Sequence, residues 1–270
     1  MREGLAELGR KVNAGLHSHH ASRVTLHPSG SGGFSLTEAL VALAAGLAVL
    51  GAAFQGLTHF QQKLLVQQQT IAWSQDLRLG LQVLATELRL AGTGGPASAP
   101  AVLIAEEQEI EFEANLAGLT TVLTEAAEAG QLDLVVESGS GWSKGKRIVL
   151  CASDASCAAH HLARDGRSRG LTLTSPLTQA FPAGTGVSVS NRVRYYLRAD
   201  PAGKASLMRM VDGGANALMG DIGFFRLSHL DGGGRPVRDA AQVARVRVEV
   251  GTEGGGWTLT QEVGLRGAGR

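Results

Sequence analysis

An apolar segment near the amino terminus, residues 34–57, constrains the fold of this chain more than any other feature. As an α-helix it would measure about 36 Å at about 1.5 Å per residue, which is enough to cross a hydrocarbon layer about 30 Å thick. Its residues 39–54 carry no charged or polar side chain, yet Glu38 stands directly before them. A carboxylate inside a bilayer costs about 2.5–3.5 kcal/mol on insertion scales, so Glu38 requires an explanation.

The helix is predicted to continue beyond the apolar segment, over residues 58–91. No proline interrupts it, and apolar side chains recur at steps of three and four, which places them in one stripe. Charged residues such as Glu87 fall off that stripe. The sequence GTGGP at 92–96 is predicted to end the helix, with Gly92 at the C-cap and Pro96 beyond it. The stripe consists of Trp73, Leu77, Leu81, Leu84, Leu88 and Ala91.

After residue 96 the hydrophobic period changes to two, which predicts an antiparallel sheet with one face in solvent. Residues 244–251 show this best, because charged side chains alternate there with valines. Glycine-rich clusters such as DGG, DGGG and EGGG separate the strands as turns. Residues 116–130 are predicted as a short helix. The fold class is therefore α+β: a long amino-terminal helix packed on an antiparallel β-rich domain, residues 96–270. Strands are expected within 109–115, 131–137, 145–151, 170–175, 186–200, 205–212, 223–231, 244–251 and 257–266.

Composition and motifs narrow the possible functions. The chain has 25 Lys and Arg against 24 Asp and Glu, without the basic excess of a general nucleic-acid binder. Its sequence contains no nucleophile elbow, P-loop, metalloprotease helix or dinucleotide fingerprint. We therefore expect no enzymatic activity, no cofactor and no direct nucleic-acid partner.

The two cysteines, Cys151 and Cys157, lie in the sequence CASDASCAAHH at 151–161. The simplest interpretation is a disulfide that closes a small loop at a strand end, in a region that leaves the cytosol. Free thiols remain an alternative, and so does a zinc site that adds His160 and His161. The five residues between the cysteines make a wider gap than zinc sites usually have, and adjacent histidines rarely both bind one metal.

The stretch GGFSLTEALVALAAG at 32–46 resembles the class III leader of type IV prepilins and pseudopilins. Such leaders have glycine directly before a cleavage site and an aromatic residue directly after it. A glutamate and an uninterrupted apolar run then follow at fixed positions, and all of these features are present here. The resemblance implies that a membrane-bound prepilin peptidase removes residues 1–33 on the cytoplasmic side. It would cut after Gly33 and methylate the new amino terminus, Phe34.

This processing would explain Glu38. Cleavage gives Phe34 a positive amine, and a helix amino terminus adds its own partial positive charge. In a bundle of subunits, the Phe34 amine of one subunit can neutralise Glu38 of its neighbour. An isolated subunit would leave the carboxylate unpaired in an apolar layer, so assembly relieves the cost and sets the register of the subunits. The alternative is a plain signal anchor in which Glu38 reaches the membrane interface.

Other stretches narrow the resemblance to PilW-like minor pilins. The sequence LATELRLAGTGG at 84–95 is similar to the end of the long helix in that group, and RVRYYLRADPAGKASLMRM at 192–210 is similar to its paired strands. The pattern GFFRLSHLDGGG followed by VARVRVEV is similar to its closing strands. Two residues depart from the family: Thr93 replaces an aromatic residue, and Gln55 stands where major pilins often have proline.

The resemblance implies a minor pilin that primes assembly at the tip of a type IV pilus. Its partners would be the prepilin peptidase, other minor pilins, the major pilin and the inner-membrane assembly platform. Residues 1–29 contain four Arg and Lys against two Glu, which favours a cytoplasmic amino terminus, a single pass through the inner membrane and a periplasmic carboxy-terminal domain. One alternative is a J-type pseudopilin of type II secretion. Another is a membrane-anchored periplasmic enzyme or binding protein.

Overall fold

The computed structural model describes residues 35–96, 98–201, 203–251 and 257–267. The chain divides into two compact units, Met1–Leu64 and Leu65–Arg270. Helix α1 runs from Leu36 to Arg89, and a short 3₁₀ helix covers Ala240–Gln242. The strands, in chain order, are β1 Val102–Ala105, β2 Glu109–Ala114, β3 Thr120–Val122, β4 Asp133–Val135, β5 Arg147–Cys151, β6 Cys157–His161, β7 Gly170–Thr172, β8 Gly186–Val189, β9 Asn191–Ala199, β10 Ala205–Val211, β11 Gly214–Ile222, β12 Phe224–Leu230, β13 Arg245–Gly251 and β14 Thr258–Gly264.

Four antiparallel sheets are formed by the described residues of the β-rich region. The largest has five strands in the order β1-β2-β9-β10-β11, and a three-stranded sheet has the order β12-β13-β14. The others are a four-stranded sheet, β3-β8-β5-β6, and the pair β4-β7. A long apolar helix followed by antiparallel sheets confirms the α+β class.

The carboxy-terminal part of α1 buries the predicted stripe within the second unit. Leu84 and Leu88 are fully buried, and Trp73 is half-buried beside Trp257, with ring centroids 5.7 Å apart. They share one hydrophobic core with inward residues of the five-stranded and three-stranded sheets. In β13, valines are buried between exposed arginines, so the predicted alternation is confirmed as well.

Thr93 makes polar contacts just after the end of α1. The helix ends at Arg89, two residues before the predicted end. The Thr93 hydroxyl donates to the Leu90 carbonyl at 2.6 Å and accepts from the Asn115 amide at 3.1 Å. Gly92 has φ +81°, and a Cβ there would lie 2.8 Å from the Cα of Gly267. Thr93 therefore links the end of the helix to Asn115 through two hydrogen bonds.

Between β2 and β9 the chain leaves the five-stranded sheet and builds a second core. Ala114 and Asn191, where it leaves and returns, are directly paired across the two strands. Residues 116–190, which we call the inserted lobe, contain β3 to β8, and none of these strands pairs with a strand outside the lobe in the described chain. Their buried side chains, among them Trp142 and Phe181, form a cluster separate from the main core. We call the rest of the second unit the body.

Two sequence predictions in this region are wrong. The predicted helix at 116–130 is instead an extended segment that contains β3, whose β-branched residues pair with β8. Gly118 and Gly130, both with positive φ, bracket it. The run 186–200 is two strands, not one: it breaks at Ser190, so β8 belongs to the inserted lobe and β9 to the body.

Strands β1, β6 and β11 were missed. Their sequences VLIA, CAAHH and GANALMGDI do not combine alternation with β-branched residues. Strand β11 is set by the turn before it, where Asp212 and Gly213 have φ values of 51° and 90°, as a two-residue type I′ hairpin requires. This confirms DGG at 212–214 as a turn. The predicted turn EGGG at 253–256 lies outside the described residues.

Candidate functional site

The first turn of α1 places Glu38 three residues after a capping serine. The amide of Glu38 donates to Ser35 Oγ at 3.3 Å and to the Ser35 carbonyl at 3.0 Å. The spacing Ser-x-x-Glu is that of a capping box, and a carboxylate in the first turn also interacts favourably with the helix dipole. Glu38 can therefore stabilise the first turn of its own helix, in addition to the pairing between subunits expected from the sequence. Gly33 and Phe34, the predicted cleavage residues, lie outside the described part of the chain.

The helix that follows is exposed along its length in the first unit. Residues 36–65 of α1 are long and apolar enough to cross a membrane. Large side chains such as Leu36, Val49 and Phe54 are exposed by 80%, 69% and 68%. A contiguous apolar surface of this size needs a lipid or protein covering. A Cβ added at Gly46 or Gly56 would meet nothing within 4 Å, and small residues of this kind let another helix approach closely in a membrane.

The cysteines form a disulfide across the end of the β5–β6 hairpin. Cys151 and Cys157 are directly paired residues of the two strands, and their sulfur atoms are bonded. The disulfide interpretation is therefore confirmed, and neither sulfur is available as a zinc ligand. In the connecting loop, hydrogen bonds from the side chain and amide of Ser156 lower the pKa of Asp154.

The two histidines after the disulfide lie on opposite faces of β6. His160 is buried, its Nδ1 lies 3.3 Å from Ser175 Oγ, and burial lowers its pKa. His161 is exposed and pairs across the strands with Arg147. The two imidazole rings therefore do not converge on one point. The alternative of a zinc site formed by the two cysteines and the two histidines is wrong.

Glu87 anchors α1 to the five-stranded sheet, although the sequence placed it off the buried stripe. Its carboxylate accepts from Arg209 Nε at 2.9 and 3.1 Å and from the Tyr195 hydroxyl. The Glu87 and Arg209 side chains are exposed by only 13% and 29%. Burial, and then the Glu87 carboxylate, raise the pKa of Tyr195. The sequence offers one indication of this role: Glu87 directly precedes Leu88 of the buried stripe, and the side chain of a residue that flanks such a stripe can reach the interior.

A polar cleft of about 440 Å³, which we call the interlobe cleft, lies where the inserted lobe meets the body. Two cross-strand pairs contribute to its lining: Glu113 with Arg192 from the body, and Arg147 with His161 from the lobe. Arg147 Nη1 donates to Glu113 Oε2 at 2.8 Å across the junction. This cleft could not be predicted from the sequence, because most of its lining residues come from β2, β5, β6, β9 and the β10–β11 turn.

Asp212 completes the interlobe cleft at the β10–β11 turn. It accepts from the amide of Arg192 at 2.9 Å, from Asn191 Nδ2 at 2.8 Å and from Lys146 Nζ at 3.3 Å. Burial alone would raise the pKa of Asp212, but these hydrogen bonds outweigh burial and lower it. The carboxylate is therefore held in its charged form.

Comparison with known proteins assigns no family. No model of a protein family matches the chain, and no curated protein is significantly similar to it in sequence. The function is therefore inferred from this chain's own residues and geometry.

Proposed function

We propose that this chain is a prepilin-processed minor pilin, similar to the PilW group, without enzymatic activity. The prepilin peptidase removes residues 1–33 and methylates Phe34. The subunit is then held in the inner membrane by its apolar helix, with the β-rich region in the periplasm. It joins other minor pilins at the pilus tip through the assembly platform and primes addition of the major pilin.

One observation carries this proposal: Glu38 heads a helix that is otherwise uncharged for a long distance. Residues 39–62 contain no Asp, Glu, Lys or Arg, and the apolar side chains along them are exposed. A plain membrane anchor could use this carboxylate to cap its helix, but it would have no partner to neutralise the charge in an apolar layer. A subunit whose neighbour brings a free amine to the same depth gains a neutralising partner, so the acid favours the assembled state over the isolated one.

The second unit supports the same proposal by its layout. Residues 65–89 of α1 present one apolar face to antiparallel sheets and bury it there. A helix of this kind can join a folded periplasmic region to a membrane-spanning segment. The pilin fold itself is part of the proposal, which the α+β arrangement supports.

The first test is the sequence of the mature amino terminus. Protein extracted from membranes of a host with an active prepilin peptidase is expected to begin at N-methylated Phe34. Mass spectrometry of the terminal peptide measures both cleavage and methylation. A chain that begins at Met1 in that host would remove the proposal.

The second test separates charge pairing from helix capping at Glu38. Glu38→Gln keeps a side chain that serves a capping box but removes the charge, whereas Glu38→Ala removes both. We expect both variants to be cleaved and neither to co-purify with pilus components. Glu125→Ala, at an exposed acid of the lobe, is the matched control and is expected to assemble normally. Normal incorporation of Glu38→Gln would show that capping alone is sufficient and would contradict the charge-pairing mechanism.

A J-type pseudopilin of type II secretion would use the same residues in a different machine. Co-isolation with secretion components in place of other pilins, or neighbouring secretion genes, would assign the chain to that system.

A membrane-anchored binding protein is a second candidate, and the interlobe cleft favours it. That function requires converging polar side chains, which Glu113, Arg147 and Arg192 provide. It predicts an uncleaved chain that acts without pilus partners, so sequencing of the amino terminus also decides between these two functions.

A further inference from the structure

The interlobe cleft lies between two parts of the second unit that have separate hydrophobic cores. Binding sites occur preferentially at such junctions, and a volume of about 440 Å³ falls within the range of small-molecule sites. Neither the proposed assembly helix nor the disulfide contributes to it. The question is which ligand its side chains could recognise.

The acidic groups of the cleft have used much of their capacity to accept hydrogen bonds. Glu113 Oε2 accepts from Arg147 and from Ser190 Oγ, at 2.8 and 3.1 Å. Asp212 accepts three hydrogen bonds through its two oxygens. A metal cation would have to displace arginine, lysine or asparagine donors from these carboxylates. The acids therefore serve to position the basic groups.

The basic groups retain donors. Arg147 uses only Nη1, towards Glu113 and Ser190, and its Nε and Nη2 make no hydrogen bond to another described residue. Arg192 uses Nε towards Glu111, which leaves both terminal nitrogens without a partner within the described chain. A guanidinium group presents five N–H donors in a planar fork that matches an oxyanion.

Each arginine is held by one carboxylate before any ligand arrives. Arg192, whose side chain is 64% exposed, contacts Glu111, whose side chain is 5% exposed, and Arg147 is bonded to Glu113 across the junction. These ion pairs restrict the two guanidinium groups before binding, which reduces the side-chain entropy lost when a ligand binds. Charge-assisted hydrogen bonds from arginine to carboxylate or phosphate are also among the stronger ones in proteins.

We propose that the interlobe cleft binds an oxyanion group, a carboxylate or a phosphate, through Arg147 of the inserted lobe and Arg192 of the body. The ligand bridges the two parts, so its binding also holds the lobe against the body. This inference does not rest on the assembly role, because the cleft uses none of the residues 34–57.

Isothermal titration of the full chain in a neutral detergent at low ionic strength tests the proposal. Inorganic phosphate and acetate are the two probes, and at least one is expected to bind saturably with one site per chain. Arg147→Gln and Arg192→Gln are each expected to weaken that binding about ten-fold or more, the effect of losing charge-assisted hydrogen bonds. Arg192→Lys, which keeps the charge but not the fork, is expected to fall between wild type and Arg192→Gln.

Arg226→Gln is the matched control. Arg226 lies outside the cleft, pairs with exposed Glu107 at 2.9 Å, and its substitution is expected to change affinity less than about two-fold. Binding of phosphate alone identifies a phosphate ligand, and binding of acetate alone a carboxylate ligand. The proposal is overturned if neither probe binds saturably, or if Arg226→Gln weakens binding as much as Arg192→Gln, since the effect would then be one of general charge. Either result leaves the Phe34 and Glu38 tests unaffected.

Discussion

Glu87→Gln is expected to destabilise the second unit by about 2–3 kcal/mol. Removing one partner of a fully buried ion pair costs about 3–5 kcal/mol, whereas an exposed pair contributes about 0–1 kcal/mol. The Glu87 and Arg209 side chains, 13% and 29% exposed, lie closer to the buried case. Glutamine also leaves Arg209 without its bidentate acceptor. At about 2–4 °C per kcal/mol for a region of this size, the melting temperature should fall by about 4–12 °C.

Thermal unfolding of the full chain in detergent, followed by circular dichroism of the β-rich region, measures the effect. A double-mutant cycle with Glu87→Leu and Arg209→Met isolates the pair, and the double variant is expected to lose less stability than the sum of the single ones. The exposed pair Glu107 and Arg226 provides a matched cycle. If its coupling equals that of Glu87 with Arg209, or if Glu87→Gln melts within about 1 °C of wild type, burial does not strengthen the pair and the reasoning is refuted.

Further predictions concern the β-rich region. Burial lowers the pKa of His229, so the folded state disfavours the protonated imidazole. The protein should therefore lose stability as pH falls below 6.5, the ordinary histidine pKa, because the unfolded chain then binds a proton that the folded chain does not. His229→Leu should reduce this fall in melting temperature at acidic pH. A Cβ at position 166 would lie 2.1 Å from a backbone oxygen, so Gly166→Ala should cost about 1–3 kcal/mol in urea unfolding, and an unchanged midpoint would contradict the packing. The disulfide closes a loop between residues six apart, so the variant with both Cys151 and Cys157 changed to serine should lose about 2 kcal/mol relative to oxidised wild type and should match reduced wild type, which is the control. Replacing residues 116–190 by one glycine creates an Asn-Gly turn between β2 and β9, and the remaining body should still unfold cooperatively; a molten product would show that the inserted lobe is not separable.

The helix and most strands could be predicted because their signals are local. The apolar residues spaced along Leu77 to Leu88 predict which face of the helix is buried. In the same way, the alternation of charged and apolar residues in 245–251 predicts which face of the strand is buried. The disulfide was also within reach, since both cysteines are close in sequence. The helix predicted at 116–130 failed because a glycine-bounded, alanine-rich segment carries no strong period, and pairing of β3 with β8 decided its conformation.

The candidate sites divide in the same way. The leader pattern and Glu38 are contiguous, so sequence alone could propose them as one functional unit. Tyr195 and Arg209 each lie more than a hundred residues from Glu87 along the chain, and nothing in the sequence around Glu87 indicates that they are its partners. The same holds for the interlobe cleft, which joins β2 to β5 through Glu113 and Arg147.

The sequence by itself determined that this chain has a long helix, apolar in its first part and amphipathic in its second, followed by antiparallel strands. It did so because burial leaves a periodic record in each element. Only the tertiary structure decided that residues 116–190 form a lobe with its own core, that Glu87 turns inward, and that two arginines face one cleft. These features depend on which strands, distant in sequence, pair with each other. The free energy of that pairing comes from both strands together, so the sequence of either strand alone does not predict its partner.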